Sequence, residues 1–182
     1  VNRNYGRGDP KMAGVNEARD AAAIVRDAGG RIVGRTRLQK IAYILEAVGL
    51  GTGFTFRYKH YGPYSEQLAD AAKTARIFGL LNEQETQAAW GGVYSIYESL
   101  LPKDVGAPQE RLQLAMALVE SDAVELELAA TALFLAHEGF GDPWEETARR
   151  KPDKVQDGRL ERACQLYTQL RSIRTPKPLP SI

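Results

Sequence analysis

Residues 54–81, FTFRYKHYGPYSEQLADAAKTARIFGLL, hold the signals on which the fold turns. Phe54, Phe56, Tyr58 and His60 alternate with Thr55, Arg57, Lys59 and Tyr61, the period-two pattern of a half-buried strand. One face is aromatic and the other basic. Gly62 and Pro63 end the strand, because proline has no N–H to give a ladder and its fixed φ suits the first turn of a helix, with Ser65 as an alternative cap. Beyond the turn, Leu68, Ala71, Ala72, Ala75 and Phe78 recur at three- and four-residue spacing and predict an amphipathic helix with a narrow core face. Gln67, Asp70, Lys73, Thr74 and Arg76 are left for water or a partner, and Gly79 is placed to stop the helix in a left-handed conformation.

Working outward, residues 34–49, GRTRLQKIAYILEAVG, read as a helix with Thr36 as N-cap and a buried stripe of Leu38, Ile41, Ala42, Leu45 and Val48. A first helix is predicted over residues 15–28, burying Ala18, Ala21, Ala22 and Val25, and a short strand over residues 31–33. Two strands over residues 81–87 and 93–100 are joined through residues 88–92. Three helices followed by a hairpin is the order of a winged helix, and the departure is the strand at residues 54–60, where a helix-turn-helix has a tight turn. Residues 102–107 are a linker, and four helices are predicted at 108–119, 122–138, 143–150 and 157–173, with Asp122 and Asp142 as caps. The expected class is therefore mainly α: a winged-helix-like core over residues 15–101 with a small β-hairpin or sheet, and a helical C-terminal part over 108–174 packed on it. Residues 1–14 are expected to be a flexible arm, with Met12 a candidate natural start, and residues 175–182 a loose proline-rich tail.

The run RTRLQKI at residues 35–41, FRYKHYGPYS at 56–65, FGLL at 78–81 and LELAATALF at 126–134 together resemble an uncharacterised bacterial family of the YwgA type. More distantly they resemble the Panacea domain, which has a similar leucine-glutamine-lysine helix and tyrosine-glycine-proline turn. The similarity covers residues 15–173. It implies a small, mostly helical fold and, for Panacea-like proteins, a role as antitoxin or interaction module in toxin–antitoxin and phage-defence contexts. It carries over no catalytic residues.

The 182 residues suffice for one domain, and 43% hydrophobic with 26% charged residues is the balance of a globular protein that folds in water. No apolar run nears the roughly 20 residues that cross a bilayer, no signal-peptide pattern is present, and the single Cys164 excludes an internal disulfide. These features point to a cytoplasmic protein. The net charge is only +1, but it is divided. Between residues 31 and 76, eight bases face only Glu46, Glu66 and Asp70, whereas residues 77–137 carry nine acids against Lys103 and Arg111. A bipolar chain of this kind can dock an anionic partner, form a homodimer head to tail, or neutralise itself.

The basic group Arg35, Arg37, Lys40, Arg57 and Lys59, with Lys73 and Arg76 on the following helix, is the candidate surface for phosphates or an acidic partner, and Trp90 is a candidate partner anchor. The alternative for these bases is a solvated face with ion pairs to the acidic half. The exposed side of the helix at residues 64–78 is neutral overall, where a recognition helix is usually basic. Tyr58, His60, Tyr61 and Tyr64 form a cluster that could do acid–base chemistry on a nucleic acid, but no carboxylate or nucleophile lies beside it in sequence. The competing reading makes His60, Tyr61, Gly62, Pro63, Tyr64 and Ser65 structural, with the tyrosines buried. His137 reads as a helix C-terminal residue meeting the dipole, and Cys164 as a core thiol. Nucleotide-binding and common hydrolase motifs are absent.

The leading expectation is a non-enzymatic regulatory or antitoxin-like module with a protein partner such as a toxin. A winged-helix DNA-binding regulator and an enzyme acting on nucleic acid stand as alternatives. With two histidines and one cysteine, no cofactor or metal is expected. Thermal unfolding in the presence and absence of excess chelator is expected to superimpose, and a midpoint lowered by many degrees on chelation would reveal a metal site.

Overall fold

The computed structural model describes the backbone of residues 10–89, 91–103 and 106–182, with side chains from residue 14 onward. The elements among them are α1 (Pro10–Asp27), β1 (Arg31–Val33), α2 (Arg35–Ala47), β2 (Arg57–Lys59), β3 (Gly62–Tyr64), α3 (Glu66–Ile77), β4 (Leu81–Gln87), β5 (Val93–Ser99), α4 (Gln109–Glu120), α5 (Ala123–His137), α6 (Pro143–Arg150) and α7 (Arg159–Ser172). The fold is mainly helical with a small antiparallel sheet in the order β1-β5-β4 and a separate two-stranded hairpin, β2-β3.

Local chemistry explains most boundaries. Ser65 accepts a hydrogen bond from the Leu68 amide and starts α3, and the Asp122 and Asp142 carboxylates accept from the amides that open α5 and α6. Gly79, at φ +67°, ends α3 as expected. The helix α5 is apolar on nearly every side, and Leu126, Leu128, Ala129, Ala130, Ala132 and Leu133 are wholly buried. That pattern needs neighbours all round. It has them: α2, α6, α7 and β3 each pack on α5. The alanines of α1 and α3 let those two helices approach closely, and Ala18, Ala21, Ala22, Ala71, Ala72 and Ala75 join one core with Leu114, Leu118 and Leu133 of the C-terminal helices. Arg111 of α4 donates to the Asp27 carboxylate at 2.6 Å and to the Leu50 carbonyl, stitching α4 to the end of α1.

Several expectations are corrected. The first helix begins at Pro10, within the stretch assigned to a flexible arm, because proline fits the first helical position, where no N–H is needed; residues 1–9 lie outside the described residues. The strand expected at residues 54–60 shrinks to Arg57–Lys59. One Glu46 oxygen accepts the amides of Thr52, Gly53 and Phe54 at 2.8, 2.8 and 2.9 Å, so this backbone is claimed by a carboxylate before a ladder begins. Pro63 stands in β3 opposite Tyr58 rather than in the first turn of α3. A two-strand hairpin has free edges, and a proline there costs no ladder bond. Gly34, not Thr36, precedes α2, with no side-chain cap. Phe78 is exposed rather than core. Cys164 is half-buried. The tail has no regular structure but is not loose: the Lys177 amide donates to the Val48 carbonyl at 2.9 Å, Tyr167 donates to the Pro180 carbonyl at 2.9 Å, and Leu179 is buried.

Gly62 is the tightest point of this packing. Its φ is +83°, and a Cβ there would lie 2.5 Å from Thr131 Oγ1 of α5. Gly53, at φ +103°, has nothing within 4 Å of the equivalent point. Gly62→Ala is expected to lower stability in urea by about 3 kcal/mol, and Gly53→Ala by about 1 kcal/mol, since only the first adds a clash to the backbone strain. Equal losses would mean that the turn does not need this approach.

Candidate interaction site

The cations singled out by the sequence do not form one surface. Arg35, at the start of α2, places its guanidinium 3.2 Å from the Glu83 carboxylate and 2.6 Å from that of Glu85, both on β4. Arg76, from α3, lies 3.9 Å from Glu83. Arg37 turns the other way and donates to the carbonyls of Val119 and Ser121 at 3.0 and 2.5 Å, closing the α4–α5 corner. Burial lowers its pKa, with Asp122 working against the shift. Lys59 pairs with Glu66, the first residue of α3, and sits 4.7 Å from the centre of the Tyr64 ring. Lys73 pairs with Asp70 at 3.0 Å. Arg57 is exposed. Trp90 lies outside the described residues.

Lys40 is the clearest correction. Expected on a binding surface, it is only 1% exposed and donates to the Pro63 carbonyl at 2.7 Å. Its neighbours form a buried polar cluster. Lys151, which follows α6, donates to a Glu127 oxygen at 2.7 Å and to the His60 carbonyl at 3.1 Å. Lys154 donates to the other Glu127 oxygen at 2.5 Å. Burial pushes the Lys40 amine down to about 7; Glu127 opposes the shift, and Lys151 and Lys154 add to it. Beside Lys40, Gln39 donates to the Ser65 carbonyl at 3.0 Å and accepts from the Ser65 amide at 2.7 Å. The leucine-glutamine-lysine run of α2 is thus the receptor for the turn at residues 60–65. Glu127 and Lys151 were missed by sequence reasoning, although a glutamate inside the apolar run of α5 was a signal that a cation must meet it.

The aromatic residues of the stretch divide in the same way. Phe56 and Tyr58 face the core side, with ring centres 5.3 Å from Tyr43 and 5.8 Å from Phe134 respectively. Tyr61 is 52% exposed, edge-on to His60 at 4.7 Å and under the Lys154 amine, so it contributes little of the buried area expected of it. Gly62, Pro63 and Ser65 are buried. His60 faces solvent, with its ring against Tyr61 rather than a carboxylate. His137 closes α5 as expected, with Nδ1 3.1 Å from the Tyr43 hydroxyl, and burial lowers its pKa. Among the described residues, no group of three or more His, Cys, Asp or Glu is placed to hold a metal, and no helix is long and apolar enough to cross a membrane.

Between α2, α3 and the β4-β5 hairpin lies a cleft of about 470 Å³, bounded by Arg35, Tyr64, Lys73, Arg76, Glu83 and Tyr97. Burial works to raise the Glu83 pKa, but hydrogen bonds from Ser95, Arg35 and Tyr97 outweigh it and hold the carboxylate ionised. Basic and acidic groups alternate around the cleft, so it offers no net charge to a phosphate backbone. The uncovered apolar groups lie elsewhere. Ile77 and Phe78, at the end of α3, are 77% and 55% exposed, and Leu100, just past β5, is 59% exposed. The Leu100 amide donates to the Leu80 carbonyl at 2.9 Å, which brings the end of β5 beside the segment leaving α3.

No family model matches the chain, and neither a curated protein nor a solved structure matches it.

The buried cluster makes a quantitative demand. Glu127→Gln keeps the side-chain shape but removes the one carboxylate that faces three amines. It is expected to cost about 3 kcal/mol in urea unfolding, the range for breaking a buried pair. Glu85→Gln on the exposed side of the cleft is expected to cost less than about 1 kcal/mol.

Proposed function

We propose that this chain is a non-enzymatic interaction module of regulatory or antitoxin-like type, built on a winged-helix-like core and engaging a protein partner. The observation that carries the reading is the exposure of Ile77 and Phe78, adjacent at the end of α3, with Leu100 at the end of β5, whose amide donates to the Leu80 carbonyl just beyond them. Exposed large apolar side chains close together mark protein contact surfaces. The resemblance of residues 35–41 and 56–65 to the YwgA-type family and the Panacea domain supports the same reading. The winged-helix-like description draws support from the order α1, β1, α2, α3, β4, β5 and from the sheet order β1-β5-β4, with the hairpin β2-β3 inserted before α3.

A winged-helix DNA-binding regulator is the second reading, favoured by the same element order. The pairing of Arg35, Lys59, Lys73 and Arg76 with carboxylates weighs against it, because each phosphate contact would have to displace an internal partner.

The two readings separate in one set of measurements. With the product of the neighbouring gene co-expressed as partner, Ile77→Ser/Phe78→Ser is expected to weaken the complex at least about tenfold, with little dependence on salt. The same double variant is expected to leave the fold intact, since both side chains already face solvent. Oligonucleotide binding, duplex and single-stranded, is expected to be negligible at about 150 mM salt. Sequence-selective duplex binding that persists there, and that weakens in Arg57→Ala/Arg76→Ala, would replace the protein-partner reading with the DNA-binding one.

A further inference from the structure

The β2-β3 tip, His60 to Pro63, has two of its carbonyls held by lysine amines. Its His60 carbonyl accepts from Lys151 and its Pro63 carbonyl from Lys40, while the rings of His60 and Tyr61 are exposed. Underneath, the glycine at position 62 lets the chain press against Thr131 and the Lys40 side chain. The charged groups acting on Lys40 are Glu127 from α5 and Lys151 and Lys154 from the segment after α6; on the tip itself the Tyr61 ring lies under the Lys154 amine, with His60 edge-on to it. Three amines thus share one carboxylate beneath a two-strand hairpin whose paired segments are only three residues each.

We propose that this tip is a pH-dependent latch that closes over Lys40 while its amine is neutral and lifts to admit water as the amine takes up a proton. A neutral amine donates to the Pro63 carbonyl without bringing a third positive charge to Glu127. A protonated one brings a charge that the single carboxylate, already shared by two lysines, does not balance. Opening relieves that cost by hydrating Lys40, at the expense of the carbonyl contacts of the tip. With the amine at about 7 when closed and at the ordinary lysine value when open, the open form binds more protons between those limits. Closure therefore strengthens as pH rises above 7, and looseness reaches its plateau below 7.

The test is amide hydrogen exchange by NMR at His60, Tyr61, Gly62 and Tyr64 of the whole chain, corrected for intrinsic exchange. The opening constant of the tip is expected to rise about twentyfold from pH 8.5 to pH 6.5, against little change at amides of α5. In Lys40→Met the dependence is expected to vanish, and in His60→Gln to persist, which separates Lys40 from the exposed imidazole. Should Lys40→Met fail to fold, the Cε resonance of Lys40 in the wild type reads the same point, because it must titrate in the window where the tip opens. Tip opening that changes less than about twofold across the interval overturns the proposal. So does pH dependence retained in Lys40→Met or lost in His60→Gln, or a Lys40 resonance that titrates only at the ordinary lysine value.

Discussion

The structure depends on how the turn at residues 60–65 is seated on α2 and α5. A turn that reverses through glycine and proline leaves carbonyls without ladder partners, and a buried carbonyl left unpaired costs about 1–3 kcal/mol. The chain answers with side chains rather than with more backbone: Lys40 for Pro63, Lys151 for His60, and both polar ends of Gln39 for Ser65. Each of these donors must itself be buried, and two of them are amines. That requirement explains why the largely buried α5 carries a buried carboxylate, Glu127. One turn therefore sets the identities of residues on three separate elements.

The same economy disposes of the division of charge along the chain. The basic segment before residue 77 and the acidic segment after it pair with each other, largely at the surface. Arg35 and Arg76 reach the β4 carboxylates, Arg31 reaches Glu98 across the sheet, and Arg37 reaches the carbonyls at the α4–α5 corner. The exposed pairs among these contribute little individually. Their consequence is for binding, since a guanidinium already facing a carboxylate has lost much of its attraction for a phosphate. Exposed alongside these paired cations are large apolar side chains, Ile77, Phe78 and Leu100, on which the proposed protein contact rests.

The buried amines have a second consequence. A lysine retained in a core is a source of strain whose size depends on its proton, while an arginine in the same place is charged throughout the accessible range. At Arg111, where the ion pair with Asp27 ties α1 to α4, the chain uses arginine. Under the hairpin it uses lysine, and burial pushes the Lys40 amine down to about 7.

By itself the sequence determined the number and order of the helices, the hairpin β4-β5 and the stripe of α2, because apolar periodicity and the caps Ser65, Asp122 and Asp142 act within a few residues of themselves. The leucine-glutamine-lysine run and the glycine-proline turn were legible as separate features. Their mutual contact was not, since 23 to 26 residues separate the bonded partners and nothing local records which donor meets which carbonyl. The same limit placed Lys40 on a surface and Phe78 in the core, for periodicity gives a face and not what covers it. The fates of Arg35, Arg37 and Glu127 are decided 24 to 84 residues away, by β4, by the α4–α5 corner and by Lys151. Only tertiary packing could make those choices, because a charged group is committed to solvent or to a partner by the desolvation it undergoes, and desolvation is a property of the assembled fold.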